Sequence, residues 1–486
     1  MSADPLAVAR SALAGTPAWL VGGAVRDRLL GRAVSDLDLV VAGDVRAAAR
    51  ALARAARGPV FALSEAFGAW RVLAGDRAWQ ADLSPLHGAA IEQDLARRDV
   101  TVNAMAEPLA GGPRIDPHDG AADLAAGRLR AVGSRSFADD PLRALRLARL
   151  AAELGLRPEP GTAALARAEA PRVAGVAQER VFAELRRLVC GPGPLAGLGW
   201  MDTLSLTAAV LPELDALHGV AQNRYHHRDV HGHTLEVLEQ VLALERDPTP
   251  ALGPEHAADV RALLAEPLAD ELSRGGALRF AALLHDAAKP MTRVALPGGR
   301  VGFPGHDHEG AELARRALTR LRASERLKSH VADLARHHLR LGFMVHEQPL
   351  TRGAVFRYLT ACEPVEVDVT LLSVADRLAT RGRKADEAIA RHLAVARGLL
   401  GEGLAWRAAG GRPAALVRGD ELAAALGLRP GPALGRLLED LAEAQFTAEV
   451  RSPDEALAFA RRRLAASAGG ATEGGKAPVG RPGQRR

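Results

Sequence analysis

The stretch LVGGAVRDRLLGRAVSDLDLVVAG, residues 20–43, decides how this chain is read. Asp36 and Asp38 stand two apart in an apolar, strand-like run, so a period of two puts both carboxylates on one face. Two carboxylates held on rigid β structure suit a pair of hard divalent cations. Just upstream, Gly22 and Gly23 follow a strand and open a helix with Arg26 in its first turn. Glycines there let backbone amides approach a phosphate, and the helix start adds a favourable field. A lone Asp-x-Asp is common on surface loops. The joint pattern of strand, Gly-Gly, helix with Arg, then strand with Asp-x-Asp is far more specific. Asp82, in the strand-like WQADLS (79–84), is the supporting third acid that two-metal phosphoryl chemistry uses. Its bland alternative is a strand-end turn residue.

Working outward, WLVGG (19–23), LDLVVAG (37–43), PVFAL (59–63), WRVLAG (70–75) and WQADLS read as strands punctuated by glycine and proline. From about Asp139 the spacing turns helical, as in DDPLRALRLARLAAELG and QERVFAELRRLV (178–189). The 486 residues suit about three domains. An apolar fraction of 48% and a charged fraction of 25% exclude a wholly disordered chain. No charge-free apolar run reaches the ~18 residues of a bilayer span, and MSADPLAVARSALAG reads as a short amphipathic helix, not a signal peptide. Cys190 and Cys362 alone exclude a disulfide scaffold and any Cys-built zinc site, and imply reduced thiols in the cytoplasm. The net charge of +5 is a weak excess. The basic residues are arginines apart from Lys289, Lys328, Lys384 and Lys476, and the planar guanidinium fork suits phosphate. Aromatics at 3% exclude base stacking as the main grip on a nucleic acid. The Gly/Pro-rich, basic last twenty or so residues read as a disordered tail.

GGAVRDRLLG with SDLDLV resembles the signature of the class II tRNA nucleotidyltransferases and bacterial poly(A) polymerases. DLARRDVTVNAMA (94–106), IDPHDGAADLAAGRLRAVG (115–133), DDPLRALRLAR (139–149), QERVFAEL (178–185) and the 417–445 segment resemble that family's later motifs, in order. The resemblance implies that Asp36 and Asp38 hold magnesium, with Asp82 as third acid. It implies that Gly23 and Arg26, beside Gly22, contact the triphosphate, and that Arg98 binds the nucleotide with Asn103 near its ribose. Asp140 and Arg143 would face the base, supported by Arg146 and Arg149. The residues agree: Asp140, Arg143, Arg146 and Arg149 recur every three positions and form a stripe along a helix. An aspartate accepts from an exocyclic amine and an arginine donates to a ring nitrogen or carbonyl. Such a pair could accept cytosine and adenine and reject guanine and uracil. The bland alternative is an intrahelical salt-bridge ladder.

A second constellation lies downstream. His233 opens HTLEVLEQVLAL, His285-Asp286 ends an apolar helix in ALRFAALLHDAAKP, and His306, His337 and Asp376 follow. This order resembles the HD phosphohydrolase superfamily, which implies His233, His285, Asp286 and Asp376 as metal ligands, with His306 and His337 where two-metal members add theirs. Imidazole with carboxylate suits Mn, Fe, Ni, Co or Mg. Lys289 could neutralise a phosphate. His226, His227 and His231 read as surface residues near the site.

The expected fold class is α+β: a polymerase-beta-type nucleotidyltransferase head over 1–135, then an all-α body. That body comprises a nucleotide-selecting and RNA-binding helical domain (136–215), an HD domain (216–400), a helical tRNA-binding tail (401–465) and the disordered basic tail (466–486). The expected reaction is attack of a tRNA 3′-hydroxyl on the α-phosphate of CTP or ATP, building CCA or CC only. A poly(A) polymerase is the nearest rival. An HD phosphohydrolase with an RNA-binding head is the rival from another class, and it would need a broken acid triad. Only eleven residues, LSPLHGAAIEQ, separate Asp82 from Asp94. Family members that stop after CC resemble this chain in that shortening, which would require a separate A-adding partner.

Overall fold

The computed structural model describes residues 4–64, 68–223, 225–382 and 385–470. The chain divides into two compact units, Met1–Ala216 with Ala317–Ala323, and Leu217–Arg316 with Ser324–Arg486.

The first unit opens with α1 (Pro5–Ala12), β1 (Ala18–Val21), α2 (Gly23–Leu29), β2 (Asp36–Val41), α3 (Val45–Ala56), β3 (Val60–Ser64), β4 (Ala69–Leu73), β5 (Gln80–Pro85), α4 (Ile91–Leu95) and β6 (Ala106–Pro108). The six strands form one sheet in the order β3-β4-β5-β2-β1-β6, with β2 and β5 parallel and the other neighbours antiparallel. All five strand-like runs of the sequence are strands. Leu37, Leu39, Val72, Ala81 and Leu83 face one side of the sheet, where α3 covers them with Ala48, Ala49, Leu52 and Ala53. Each fully buried leucine contributes about 1.5–3 kcal/mol. The alternate residues, Asp36, Asp38 and Asp82, are thereby turned to the opposite face.

Gly22 sits at φ +70°, a conformation that favours glycine, and a Cβ there would lie 2.8 Å from Nη1 of Arg98. Beyond the sheet, helix Leu142–Leu154 packs against helix Gln178–Cys190, which buries Val181, Phe182, Leu185 and Leu188.

The second unit is mostly helical. Helices Val230–Arg246, Arg274–Leu284, Glu325–His337 and Glu366–Ala379 pack together. A buried cluster of Arg274, Asp368 and His330 ties the last three. Two short hairpins, Pro267–Ala269 with Leu272–Ser273 and Val294–Leu296 with Arg300–Gly302, interrupt what the sequence suggested as all-helical. Helices Gly419–Leu426, Pro432–Phe446 and Pro453–Gly470 enclose Leu422, Leu437, Leu441 and Phe459. The last helix thus runs past 466, where a disordered tail was expected; residues 471–486 lie outside the described ones. Among the described residues no helix is long and apolar enough to cross a membrane.

Candidate active site and candidate metal centre

The first unit holds a polar cleft of about 650 Å³. Its floor is the acid face of the sheet. Parallel pairing puts Asp38 directly opposite Asp82 and Asp36 opposite Gln80, so three carboxylates from two strands converge. The Asp38 carboxyl is pushed up to about 6. Protein crowding round it is the main cause, Arg98 opposes the rise, and the charges of Asp82 and Asp36 add to it. A cluster that resists full ionisation alone is one that a divalent cation stabilises, and its all-oxygen donor set fits magnesium.

The expected nucleotide-binding residues surround this floor with one exception. Gly22, Gly23, Arg26, Arg98, Asn103, Arg143, Arg146 and Arg149 line the cleft. The buried Arg26 donates to Asn103 Oδ1 at 2.6 Å, and Asn103 donates to Asp99 at 3.2 Å. Asp99 accepts from Arg146, which also donates to Glu184 at 3.0 Å. Glu184 accepts in turn from Arg149 at 2.7 Å. The arginine stripe is therefore wired into a network spanning four segments, and within its own helix Arg149 pairs with Glu153. Arg143 donates to the backbone carbonyls of Arg97 and Ser136. Asp140 is the exception: it is not part of the cleft lining, and its carboxylate accepts from Arg180 at 2.7 Å.

The sequence reading missed Arg71, Asp99 and Glu184. Arg71 grips both oxygens of Asp82 at 2.7 Å. Glu184 was visible as an acid on the apolar stripe of its helix, between Val181 and Leu188. Burial alone would raise its pKa, but Arg149 and Arg146 hold it below the ordinary glutamate value.

The second unit gathers the histidine–aspartate cluster. His233 Nε2 lies 3.0 Å from Asp376 and 3.8 Å from Asp286; His285 Nε2 and His306 Nε2 lie 3.2 and 3.4 Å from Asp286. The second added histidine is His338, not His337: its Nε2 is 3.9 Å from Asp286 Oδ1. His337 is turned away and accepts from Arg340. The difference is one helical step of about 100°. His285, His306 and His338 each place Nδ1 at 2.6–2.9 Å from the carbonyl three residues back. An Nδ1–H donated there leaves Nε2 as a lone-pair donor aimed at the cluster. The Nε2 atoms of His233, His285 and His306, with Oδ1 of Asp286, are buried without a hydrogen bond. Two overlapping sets result, His233–His285–Asp286 and Asp286–His306–His338, in geometry that a metal ion would satisfy. Lys289 pairs with Asp286 at 2.6 Å. Of the three extra histidines, His231 is buried and stacks on His218 at 3.6 Å, correcting its surface assignment. His226 is half-buried and lowered to about 3 by burial and Lys289, so its ring is neutral.

Three segments of the chain match models of known families. The chain matches the family model described as the poly A polymerase head domain over residues 18–130. It also matches the probable RNA and SrmB-binding site of polymerase A over 155–217 and the HD domain over 230–381. It is 38% identical over 454 residues to an A-adding tRNA nucleotidyltransferase of Deinococcus radiodurans, covering 92% of this chain and 95% of the relative. It is 36% identical to a CC-adding tRNA nucleotidyltransferase of Thermus thermophilus, covering 91% and 92%. The solved CCA-adding enzyme of Thermotoga maritima complexed with tRNA shares the fold, with a TM-score of 0.58 at 20% identity over 96% of both chains.

Proposed function

Because the chain belongs to the tRNA nucleotidyltransferase family, we propose that its cleft transfers CMP and AMP from CTP and ATP to the 3′ end of tRNA. The observation that carries this is the rung on which Asp38 faces Asp82, with Asp36 beside them, beneath a wall of arginines. The 3′-hydroxyl oxygen bonds to the α-phosphorus, the bond to the bridging oxygen breaks, and pyrophosphate leaves. Bound magnesium would lower the hydroxyl's pKa and neutralise the leaving group. Asp36 and Asp38 are the residues that would hold it, with Asp82 alongside. Arg26 and Arg98 neutralise the triphosphate, and the Gly22 turn lets it approach the backbone. Asp140 and Arg143 read the base, once their present partners yield. The arginine-bearing helices hold the acceptor stem by backbone and shape. The protein works in the cytoplasm, where tRNA ends are finished.

The second unit would hold Mn, Fe, Ni, Co or Mg on His233, His285, Asp286 and Asp376, with His306 and His338 completing a second position. A metal there supplies activated water for phosphoester hydrolysis.

The test supplies tRNA lacking its terminal CCA with CTP alone, ATP alone, and both. Label incorporated from CTP is expected. Incorporation from ATP alone, and only onto tRNA already ending in CC, would turn the reading to A-addition; adenylate runs without CTP dependence would make it a poly(A) polymerase. The short connection after Asp82 favours a second reading, arrest after CC. Three of its eleven residues complete β5, three begin α4, and Leu86–Ala90 alone join them. A base-reading helix that must shift from pyrimidine to purine gains little slack from such a tether, although loop length by itself costs little. Efficient addition of the final A to tRNA ending in CC refutes CC-only specificity. Arrest there implies a separate A-adding enzyme in the same cell.

A further inference from the structure

One rung of the sheet reads Arg71, Asp82, Asp38 across β4, β5 and β2. The Arg71 Nε and Nη2 atoms each donate to a different oxygen of Asp82, both at 2.7 Å. This is the bidentate fork that fixes a carboxylate in plane and orientation, which a lysine cannot reproduce. Arg71 also lines the cleft with the three acids. Both side chains are about one-third exposed, yet the pair differs from an ordinary surface salt bridge in its geometry and in what it neighbours. Arg71 is the cation on the rung that carries Asp82 and Asp38, with Asp36 two residues along the same strand. Each Asp82 oxygen keeps a lone pair for the cleft after Arg71 has taken one.

We propose that Arg71 is a positioning residue for nucleotidyl transfer, a built-in counter-cation that orients Asp82 and holds the three-acid cluster together before any metal enters. The inference rests on the transfer reading given above. It divides the labour among the acids: Asp36 and Asp38 are open to cations, whereas Asp82 is pre-oriented by the protein itself.

Two effects of removing Arg71 then run in opposite directions. Asp82 loses its orientation, so turnover falls. The cluster loses a positive charge, so a divalent cation binds at least as well. The test compares wild type with Arg71→Ala and Arg71→Lys in the full chain. It measures kcat and KM for CTP on tRNA lacking CCA, and Mn2+ binding by the loss of the free-ion EPR signal. Metal sites in the second unit are common to all three proteins and cancel in the difference. The expected result for Arg71→Ala is a ten- to hundred-fold lower kcat, a KM within three-fold of wild type, and Mn2+ affinity equal or higher. Arg71→Lys, with charge but no fork, should fall between. A kcat within three-fold of wild type in Arg71→Ala would overturn the proposal. So would a loss of Mn2+ affinity parallel to the loss of turnover, which is what a collapsed site gives. Should wild type transfer no nucleotide at all, the transfer reading fails, and the Mn2+ titration still reads the Arg71 effect on the acid cluster.

Discussion

Removing Glu184 should damage the first unit more than any exposed charge. Its carboxylate is buried between Arg146 at 3.0 Å and Arg149 at 2.7 Å. Arg146 keeps Asp99 and Arg149 keeps Glu153, so each guanidinium loses one partner of two. Taking one member from a buried ion pair costs about 3–5 kcal/mol. Glu184→Gln keeps one acceptor but turns an amide toward the other arginine, forfeiting one charge-assisted bond, about 1.5–3 kcal/mol. For a unit of this size about 2–4 °C of Tm follow each kcal/mol, so Glu184→Ala should melt about 6–20 °C lower. Four of the five tryptophans (Trp19, Trp70, Trp79 and Trp200) lie in this unit, so fluorescence-detected urea and thermal unfolding report on it. The pH dependence has a sign. The folded pKa of Glu184 is depressed, so its stabilisation is complete above the ordinary glutamate value and is lost as pH falls through the depressed one. Glu184→Ala should therefore lose less stability than wild type on acidification from about pH 4.5. A cost below about 1 kcal/mol, with an unchanged acid slope, would refute the idea that Glu184 anchors the arginine wall.

Asp140→Ala or Arg143→Ala should admit UTP or GTP more than it lowers overall turnover; unchanged selectivity among the four nucleotides in both variants would sink the base-reading assignment. In the second unit, His338→Ala should lower metal content measured by plasma emission whereas His337→Ala should not, and the reverse would contradict the cluster geometry. His285→Ala combined with Asp286→Ala should abolish any phosphohydrolase activity and spare nucleotide addition. Loss of addition in that folded double variant would show the two centres to be one.

The strands around Asp36 were legible because an apolar–polar alternation has one interpretation on a half-buried sheet. That Asp82 stands opposite Asp38 was not, because the register of a parallel pair is set by packing of the long crossover through α3, β3 and β4. Arg71 was hidden for the same reason: ten residues separate it from Asp82, and only the hairpin register brings them together. The choice between His337 and His338 is legible in the sequence. Leu327, Val331, Leu334 and Ala335 form the buried stripe of their helix, and His338 continues it whereas His337 falls beside it. Asp140 shows the converse limit. Its place in the motif was plain, but its pairing with Arg180, forty residues later, depends on how two helices pack.

Nucleotidyl transfer by this chain depends above all on the acids of β2. The most direct test of that dependence is single-turnover incorporation of labelled CMP into tRNA lacking CCA, by wild type and by Asp36→Ala and Asp38→Ala, with tRNA binding measured in parallel. Transfer by wild type and its abolition in both variants are expected, with folding and tRNA affinity largely intact. A variant that keeps more than about a tenth of the wild-type rate, a barrier change under ~1.4 kcal/mol, would contradict the metal-holding role of that aspartate.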